Sequence, residues 1–180
     1  LEVELLMIAT LSDVNELRQA VSVVEQEQYD LVSYDYENQR PEGKVRARRV
    51  TDENGDSYCL YTKVSRSAGV QDESREVEAT SEQFELFKNV RQGKGLWKFR
   101  FYLPVKDQSS LPEVLQDKDM CWEIDVFTAN PELTLDDLID SEGIKDLTEV
   151  GLDPTIKIEF ELKADTPEQI EALKSLERLP

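Results

Sequence analysis

The chain contains no histidine. That excludes every Ser-His-Asp and Cys-His catalytic scheme and every histidine metal site. A general base must be Asp, Glu, Lys, Tyr or water, and a bound metal must accept oxygen ligands, which points to Mg²⁺, Mn²⁺ or Ca²⁺. Cysteine is scarce: Cys59 and Cys121 stand far apart and form neither a CxxC motif nor a disulfide framework. Two reduced thiols in a cytoplasmic protein are the expectation. Long apolar runs are missing too, so no membrane span is expected. The first segment carries Glu2 and Glu4 instead of a basic stretch, so no signal peptide is expected. Basic residues are outnumbered, 21 Lys and Arg against 39 Asp and Glu, for a net charge of −18. Nonspecific nucleic-acid binding starts from a basic surface, and so does docking on an anionic membrane; neither is expected. There is no internal repeat and no low-complexity tract.

What is present is enough for a core. A chain of 180 residues can bury about 70% of its unfolded surface as one domain, and a single domain over residues 1–180 is expected. Six Phe, six Tyr and two Trp, with clear periodicity, argue against disorder. Leu1 to Ile8 reads as a strand. Val14, Leu17, Val21 and Val24 recur at helical spacing and predict a helix through about Glu25. Tyr29 to Tyr36 reads as a second strand. Lys44 to Val50 and Ser57 to Lys63 flank Asn54-Gly55, the strongest hairpin signal in the chain. Ser65 to Ser74 reads as loop, and Arg75 to Ala79 as a short strand. Thr80 and Gln83 form a capping box ahead of Phe84, Phe87 and Val90. Strands follow at Leu96 to Leu103, Met120 to Phe127 and Thr155 to Leu162. Residues 130–154 form an acidic insertion with short helical patterns such as Leu135 to Ile139. Thr166-Pro167-Glu168-Gln169 opens a C-terminal helix over about 167–178.

Six of these strands carry a charged pair at i, i+2 opposite an apolar face, and each pair has a single sign. The acidic pairs are Glu2/Glu4, Glu76/Glu78, Glu123/Asp125 and Glu159/Glu161; the basic pairs are Arg46/Arg48 and Lys98/Arg100. Lys63 adds one more base. A solvated sheet face alternates polar and apolar residues in the same way, but it normally mixes its signs. Segregation by strand, with apolar faces heavy enough to seat helices, predicts an α+β fold. Its centre would be a closed antiparallel barrel with a charged lumen and helices packed outside. Eight acids against five bases leave three surplus negative charges, so the count suggests a divalent cation together with an anion.

At this point the motifs resemble the CYTH superfamily, the triphosphate tunnel metalloenzymes. "EVEL" looks like the start of that family's ExExK signature, and "YDYE" like its Tyr-Tyr-Asp segment. "KVRARRV" and "YCLYTK" are similar to its paired arginines and following lysine. "REVEA" resembles its central ExE strand, and "WKFRFYLP" its Lys-x-Arg-Tyr strand. "WEIDVF" is close to the usual text, and "KIEFELK" resembles the closing ExE strand. The likeness runs from about Glu2 to Lys163 in the family's order. It implies a closed eight-stranded antiparallel barrel, a tunnel in which basic residues grip a triphosphate and acidic residues hold one or two divalent metals. Known members include inorganic, thiamine and RNA triphosphatases and class IV adenylate cyclases. Two departures stand out. Leu6 occupies the place of the signature's lysine, and the acidic insertion is longer than usual.

The resulting expectation is a metal-dependent phosphohydrolase of a triphosphate-containing small molecule. Arg46, Arg48, Lys63, Lys98 and Arg100 would bind phosphate. Glu2, Glu4, Glu159 and Glu161 would hold Mg²⁺ or Mn²⁺. Glu76, Glu78, Glu123 or Asp125 would orient the attacking water. The alternatives are a tunnel that binds phosphate or nucleotide without turnover, a class IV-type adenylate cyclase, and a scaffold that recruits a protein through its acidic surface. A homodimer is compatible with all of these.

Overall fold

The computed structural model describes the backbone at residues 2–31, 34–35, 40–41, 44–66, 70–128 and 130–176, and side chains at 6–31, 45–62, 76–128 and 130–176. Eight strands form one antiparallel sheet: β1 Glu2–Thr10, β2 Ser22–Leu31, β3 Lys44–Asp52, β4 Gly55–Arg66, β5 Val70–Glu78, β6 Gln92–Pro104, β7 Cys121–Thr128 and β8 Thr155–Lys163. Their hydrogen-bonded order is β1-β8-β7-β6-β2-β3-β4-β5. Among the described residues β1 and β5 end this order and do not pair with each other. The sheet is therefore not closed, and the expectation of a closed barrel is corrected; the α+β class stands. Period-2 alternation sets which side chains share a face. Closure also needs the first and last strands to meet at a consistent tilt and stagger, and no residue pattern within a single strand encodes that.

The second correction lies near the N-terminus. Val14–Gln19 is a short 3₁₀ helix capped by Asp13, and β2 begins at Ser22. The helical spacing of Val21 and Val24 was accidental. Glu25, Gln26, Glu27 and Gln28 are all buried in β2, so a buried strand was hidden behind polar text. Of the predicted strand Tyr29 to Tyr36, the first part belongs to β2, Tyr34–Asp35 pairs with Arg40–Pro41 in a small ladder, and Tyr36 lies outside the described residues. Most of the predicted loop from Ser65 to Ser74 belongs to β4 and β5, with residues 67–69 outside the described set.

Other signals hold. Asp52 pairs with Gly55 across the β3–β4 hairpin, and Gly55 takes φ 108°, a backbone conformation that glycine adopts without a Cβ penalty. Helix α1, Ser81–Asn89, carries the full capping box: the Gln83 N–H donates to Thr80 Oγ1 and the Thr80 N–H donates to Gln83 Oε1. A single turn, α2, covers Leu135–Leu138, and α3 spans Pro167–Leu176 with Thr166 and Gln169 exchanging the same reciprocal bonds.

The chain divides into two compact units, each described by itself. Unit 1 comprises Leu1–Val23, Arg100–Phe127 and Asp136–Pro180; unit 2 comprises Val24–Phe99 and Thr128–Leu135. In unit 1 the apolar face of β8 packs through Leu162 on Leu115, Ala164 and Leu173, with Phe160 and Ile170 at the margin. The latter part of the acidic insertion is docked in this unit. Leu138 and Leu147 are fully buried, and the Leu147 N–H donates to Asn15 Oδ1 at 2.9 Å. In unit 2 the core is Tyr29, Ala47 and Phe84, bordered by Tyr58, Leu60, Phe87 and Trp97. Gly95 lies against the Tyr29 ring, where a Cβ would collide with it. Among the described residues no helix is long and apolar enough to cross a membrane.

Candidate functional site

In unit 2 the antiparallel register sorts the charges. Gln28 lies opposite Arg48 and Asp30 opposite Arg46; Arg48 lies opposite Cys59 and Arg46 opposite Tyr61; Cys59 lies opposite Glu78 and Tyr61 opposite Glu76. Directly opposed residues share a face, so Arg46, Arg48, Glu76 and Glu78 are on one side of β3–β4–β5. Arg46 Nε reaches Asp30 at 3.3 Å, and Arg48 lies over the Tyr61 ring at 4.8 Å. Both Nε atoms are buried, and neither makes a hydrogen bond among the described residues. Asp30 is close enough to pair with Arg46 but lacks hydrogen-bond geometry. Burial pushes the Cys59 thiol up to about 11, and the Glu76 carboxylate it bonds adds to that. That disfavours the thiolate, which is the reactive form of a cysteine.

The other side of this sheet is a second polar group around α1. Arg49 pairs with Glu25 at 3.1 Å and with Glu27 at 3.0 Å, and Lys88 reaches Glu27 at 3.2 Å. Glu25 also accepts the Leu135 N–H at 3.0 Å. Burial lifts the Glu25 carboxyl above its usual range; the Leu135 bond and the Arg49 charge oppose this.

In unit 1 the charges converge on Arg100. Its Nε and Nη2 donate to the two Asp125 oxygens at 2.7 and 3.0 Å, and it also bonds Glu123 and Glu159. Asp125 is 0% exposed and Arg100 14%. The register explains the convergence: Glu123 lies opposite Glu159, and Asp125 opposite Lys157. Lys157 in turn bonds Glu159, and Lys163 pairs with Glu161 at 3.1 Å. Burial pushes the Glu123 carboxyl above the usual carboxylate range; Arg100 resists this, while Glu159, Asp125 and Glu161 add to it. Burial acts the same way on Glu159, but the Lys157 hydrogen bond and the Arg100 and Lys157 charges outweigh it and hold that carboxyl low. Burial also works against the Arg100 charge, and the Asp125 bond with the three nearby carboxylates more than restores it. A cleft of about 500 Å³ opens beside this group, lined in part by Tyr102, Cys121, Glu123, Glu161 and Lys163.

The expected residues thus fall into two groups. Unit 2 brings together Arg46, Arg48, Glu76 and Glu78. Unit 1 brings together Arg100, Glu123, Asp125 and Glu159, with Glu161 alongside. Lys98 projects from β6 two residues before Arg100 and is buried. The side chains of Glu2, Glu4 and Lys63 lie outside the described residues. By backbone register Glu4 faces Glu161, Glu2 faces Lys163 and Leu6 faces Glu159. Leu6 is half exposed.

Sequence reasoning missed Lys157 and Lys163. The signal was legible: in "KIEFELK" both lysines have the same parity as Glu159 and Glu161, so all four share one face. Adding them to the five bases leaves the eight acids with a surplus of one. This removes most of the charge argument for a divalent cation. The geometry agrees. Among the described residues no three Asp, Glu or Cys side chains are arranged to hold a metal ion, and Arg100 occupies the space between the carboxylates. This described set does not fit a divalent metal.

No protein-family model matches the chain. No curated protein matches it. Among solved structures it is similar to the crystal structure of the inorganic triphosphatase NE1496, with 17% identity and a TM-score of 0.42 over 95% of this chain and 80% of that one. A second crystal structure, of the hypothetical protein NE1496, gives 16% identity and a TM-score of 0.46 over 100% of this chain and 83% of that one. The PH1819 protein from Pyrococcus horikoshii OT3 gives 17% identity and a TM-score of 0.47, covering 99% and 87%.

Proposed function

We propose that this chain is a hydrolase of the triphosphatase type, and that the arginine face of unit 2 receives the phosphates of its substrate. One observation carries this reading. Arg46 and Arg48 project from one face of β3, and their buried Nε donors make no hydrogen bond among the described residues, Arg46 having only the Asp30 ion pair at 3.3 Å; Arg49 Nε on the opposite face is in the same state, but that guanidinium is held by Glu25 and Glu27. A buried donor without a partner costs about 1–3 kcal/mol, so Arg48, with Arg46 beside it, suits an added acceptor. A phosphate supplies several acceptor oxygens and is matched by the guanidinium fork. Glu76 and Glu78 lie two strands away, about 10 Å between backbones at normal strand spacing. They are exposed, and in this reading they orient water beside a bound phosphate. Phosphoryl transfer asks mainly for positioning and charge neutralisation, so a chain without histidine can carry it out.

The test is phosphate release from tripolyphosphate, ATP, GTP, thiamine triphosphate and triphosphorylated RNA, with and without Mg²⁺ or Mn²⁺. Binding of tripolyphosphate is measured in parallel. Release from at least one substrate, lost in Glu76→Gln or Glu78→Gln with binding retained, is the expected result. Binding without release from any substrate overturns the hydrolase. That outcome favours a second reading, a phosphate-binding protein without turnover. Leu6 favours it as well, since it stands opposite Glu159 where the resemblance calls for a cation.

A further inference from the structure

Unit 1 holds a charge group that the proposed phosphate face does not use. Four carboxylates line one face of β7 and β8, and each has a basic partner from the same unit. Asp125 and Glu123 are held by Arg100, Glu159 by Arg100 and Lys157, and Glu161 by Lys163. Such a group is stable only if its charges stay compensated, because an unpaired buried ion costs several kcal/mol. Arg100 satisfies Asp125 through two parallel bonds, and its remaining donors reach the other two acids. The planar guanidinium with its five donors suits this; a lysine, with a single point charge, does not. Any divalent cation entering here would have to displace a bidentate ion pair whose acid is fully buried.

We propose that Arg100 and Lys157 are the resident counter-ions of Glu123, Asp125 and Glu159. They fill the place a divalent cation would need, and this group takes up metal only once Arg100 is removed. The same argument explains why basic residues recur on the face of β8 at the flanks of its two acids. The strand supplies its own cations in the alternation that displays its anions.

The test is Mn²⁺ binding by calorimetric titration, with thermal melting in the same buffers, on the full chain. In the wild type, Asp125→Asn and Glu123→Gln should leave the Mn²⁺ isotherm unchanged, because no ion sits on those oxygens. Arg100→Gln should tighten Mn²⁺ binding by about tenfold or more, because a positive charge about 4 Å away repels the ion strongly at an effective dielectric near 20. Adding Asp125→Asn to Arg100→Gln should reverse the gain. If Arg100→Gln does not fold, Lys157→Met serves in its place: its side chain is 25% exposed and it pairs with Glu159. That variant should bind Mn²⁺ about threefold more tightly, the gain being lost with Glu159→Gln. Two results would overturn the proposal. One is wild-type Mn²⁺ binding that weakens about tenfold in Asp125→Asn or Glu123→Gln, which would mean that metal displaces the arginine. The other is a folded Arg100→Gln, or in its absence a folded Lys157→Met, with no gain in Mn²⁺ affinity.

Discussion

Replacing Arg100 with methionine should destabilise the protein far more than a surface charge deletion would. The arginine is 14% exposed, Asp125 is 0% exposed, and the guanidinium is shared with Glu123 and Glu159. Removing one partner of a buried pair costs about 3–5 kcal/mol because the other charge stays behind uncompensated. Glu159 keeps Lys157 and Glu123 is partly exposed, so the lower end of that range applies, with Asp125 as the main loser. For a domain of this size about 1 kcal/mol lowers Tm by about 2–4 °C, so a loss near 3 kcal/mol lowers it by about 6–12 °C. A typical stability of about 5–15 kcal/mol leaves the variant folded at 25 °C. Urea and thermal unfolding followed by circular dichroism at neutral pH would measure this. The double variant Arg100→Met with Asp125→Leu should recover much of the loss, since replacing a buried ion pair by apolar groups is often near neutral. The deficit of the single variant should also shrink in acid, where protonated carboxyls need no counter-ion. A single variant within about 1 kcal/mol of wild type, or a double variant less stable than the single, would refute the account of this cluster.

Glu123 and Glu159 should respond to pH in opposite senses. The folded carboxyl of Glu123 is raised, so the native state holds more protons than the unfolded chain, and its contribution falls as pH rises through that window. Glu123→Gln should therefore be as stable as wild type or more so at neutral pH, with the difference vanishing below the ordinary carboxylate range. Glu159 is lowered: its contribution is present above its unfolded value and is lost as pH falls through the lower folded one, so Glu159→Gln should be less stable at neutral pH and converge with wild type in acid. Unfolding midpoints between pH 3 and 8 decide both. Arg48→Ala should weaken tripolyphosphate binding by about 1.5–3 kcal/mol, the scale of hydrogen bonds to a charged group, while Lys174→Ala on exposed α3 should leave the titration unchanged. Thr80→Ala removes the helix cap and should cost about 0.5–2 kcal/mol in urea unfolding. Gly95→Ala drives a methyl group into the Tyr29 ring and should cost about 1–3 kcal/mol by overpacking.

Much of the secondary structure was legible because its causes are local. A capping box needs residues three apart, so Thr80 with Gln83 and Thr166 with Gln169 marked α1 and α3 correctly. Asn54-Gly55 marked its hairpin because only a few residues tolerate a positive φ. Parity put Glu123 with Asp125 and Glu159 with Glu161 on one face of their own strands, and register brings the two pairs to the same side of the sheet. β2 was illegible for the opposite reason. Its Glu25, Gln26, Glu27 and Gln28 are buried, and their partners Arg49, Lys88 and Leu135 come from distant parts of the chain, so hydropathy along the strand pointed the wrong way.

By itself the sequence determined which residues can do chemistry. No histidine, two widely separated cysteines and single-sign strand pairs left arginines, lysines and carboxylates as the working groups, and alternation set which of them share a side within each strand. The tertiary structure alone decided how those groups compensate one another. Alternation is a property of one strand, whereas pairing is a property of register between strands. Register set Glu123 against Glu159 and Asp125 against Lys157, gave Arg100 three acids to hold, and left β1 and β5 unpaired with each other. Whether a sheet closes, and whether a carboxylate meets a guanidinium or a metal ion, depends on the distance between segments far apart in the chain, which no local pattern specifies.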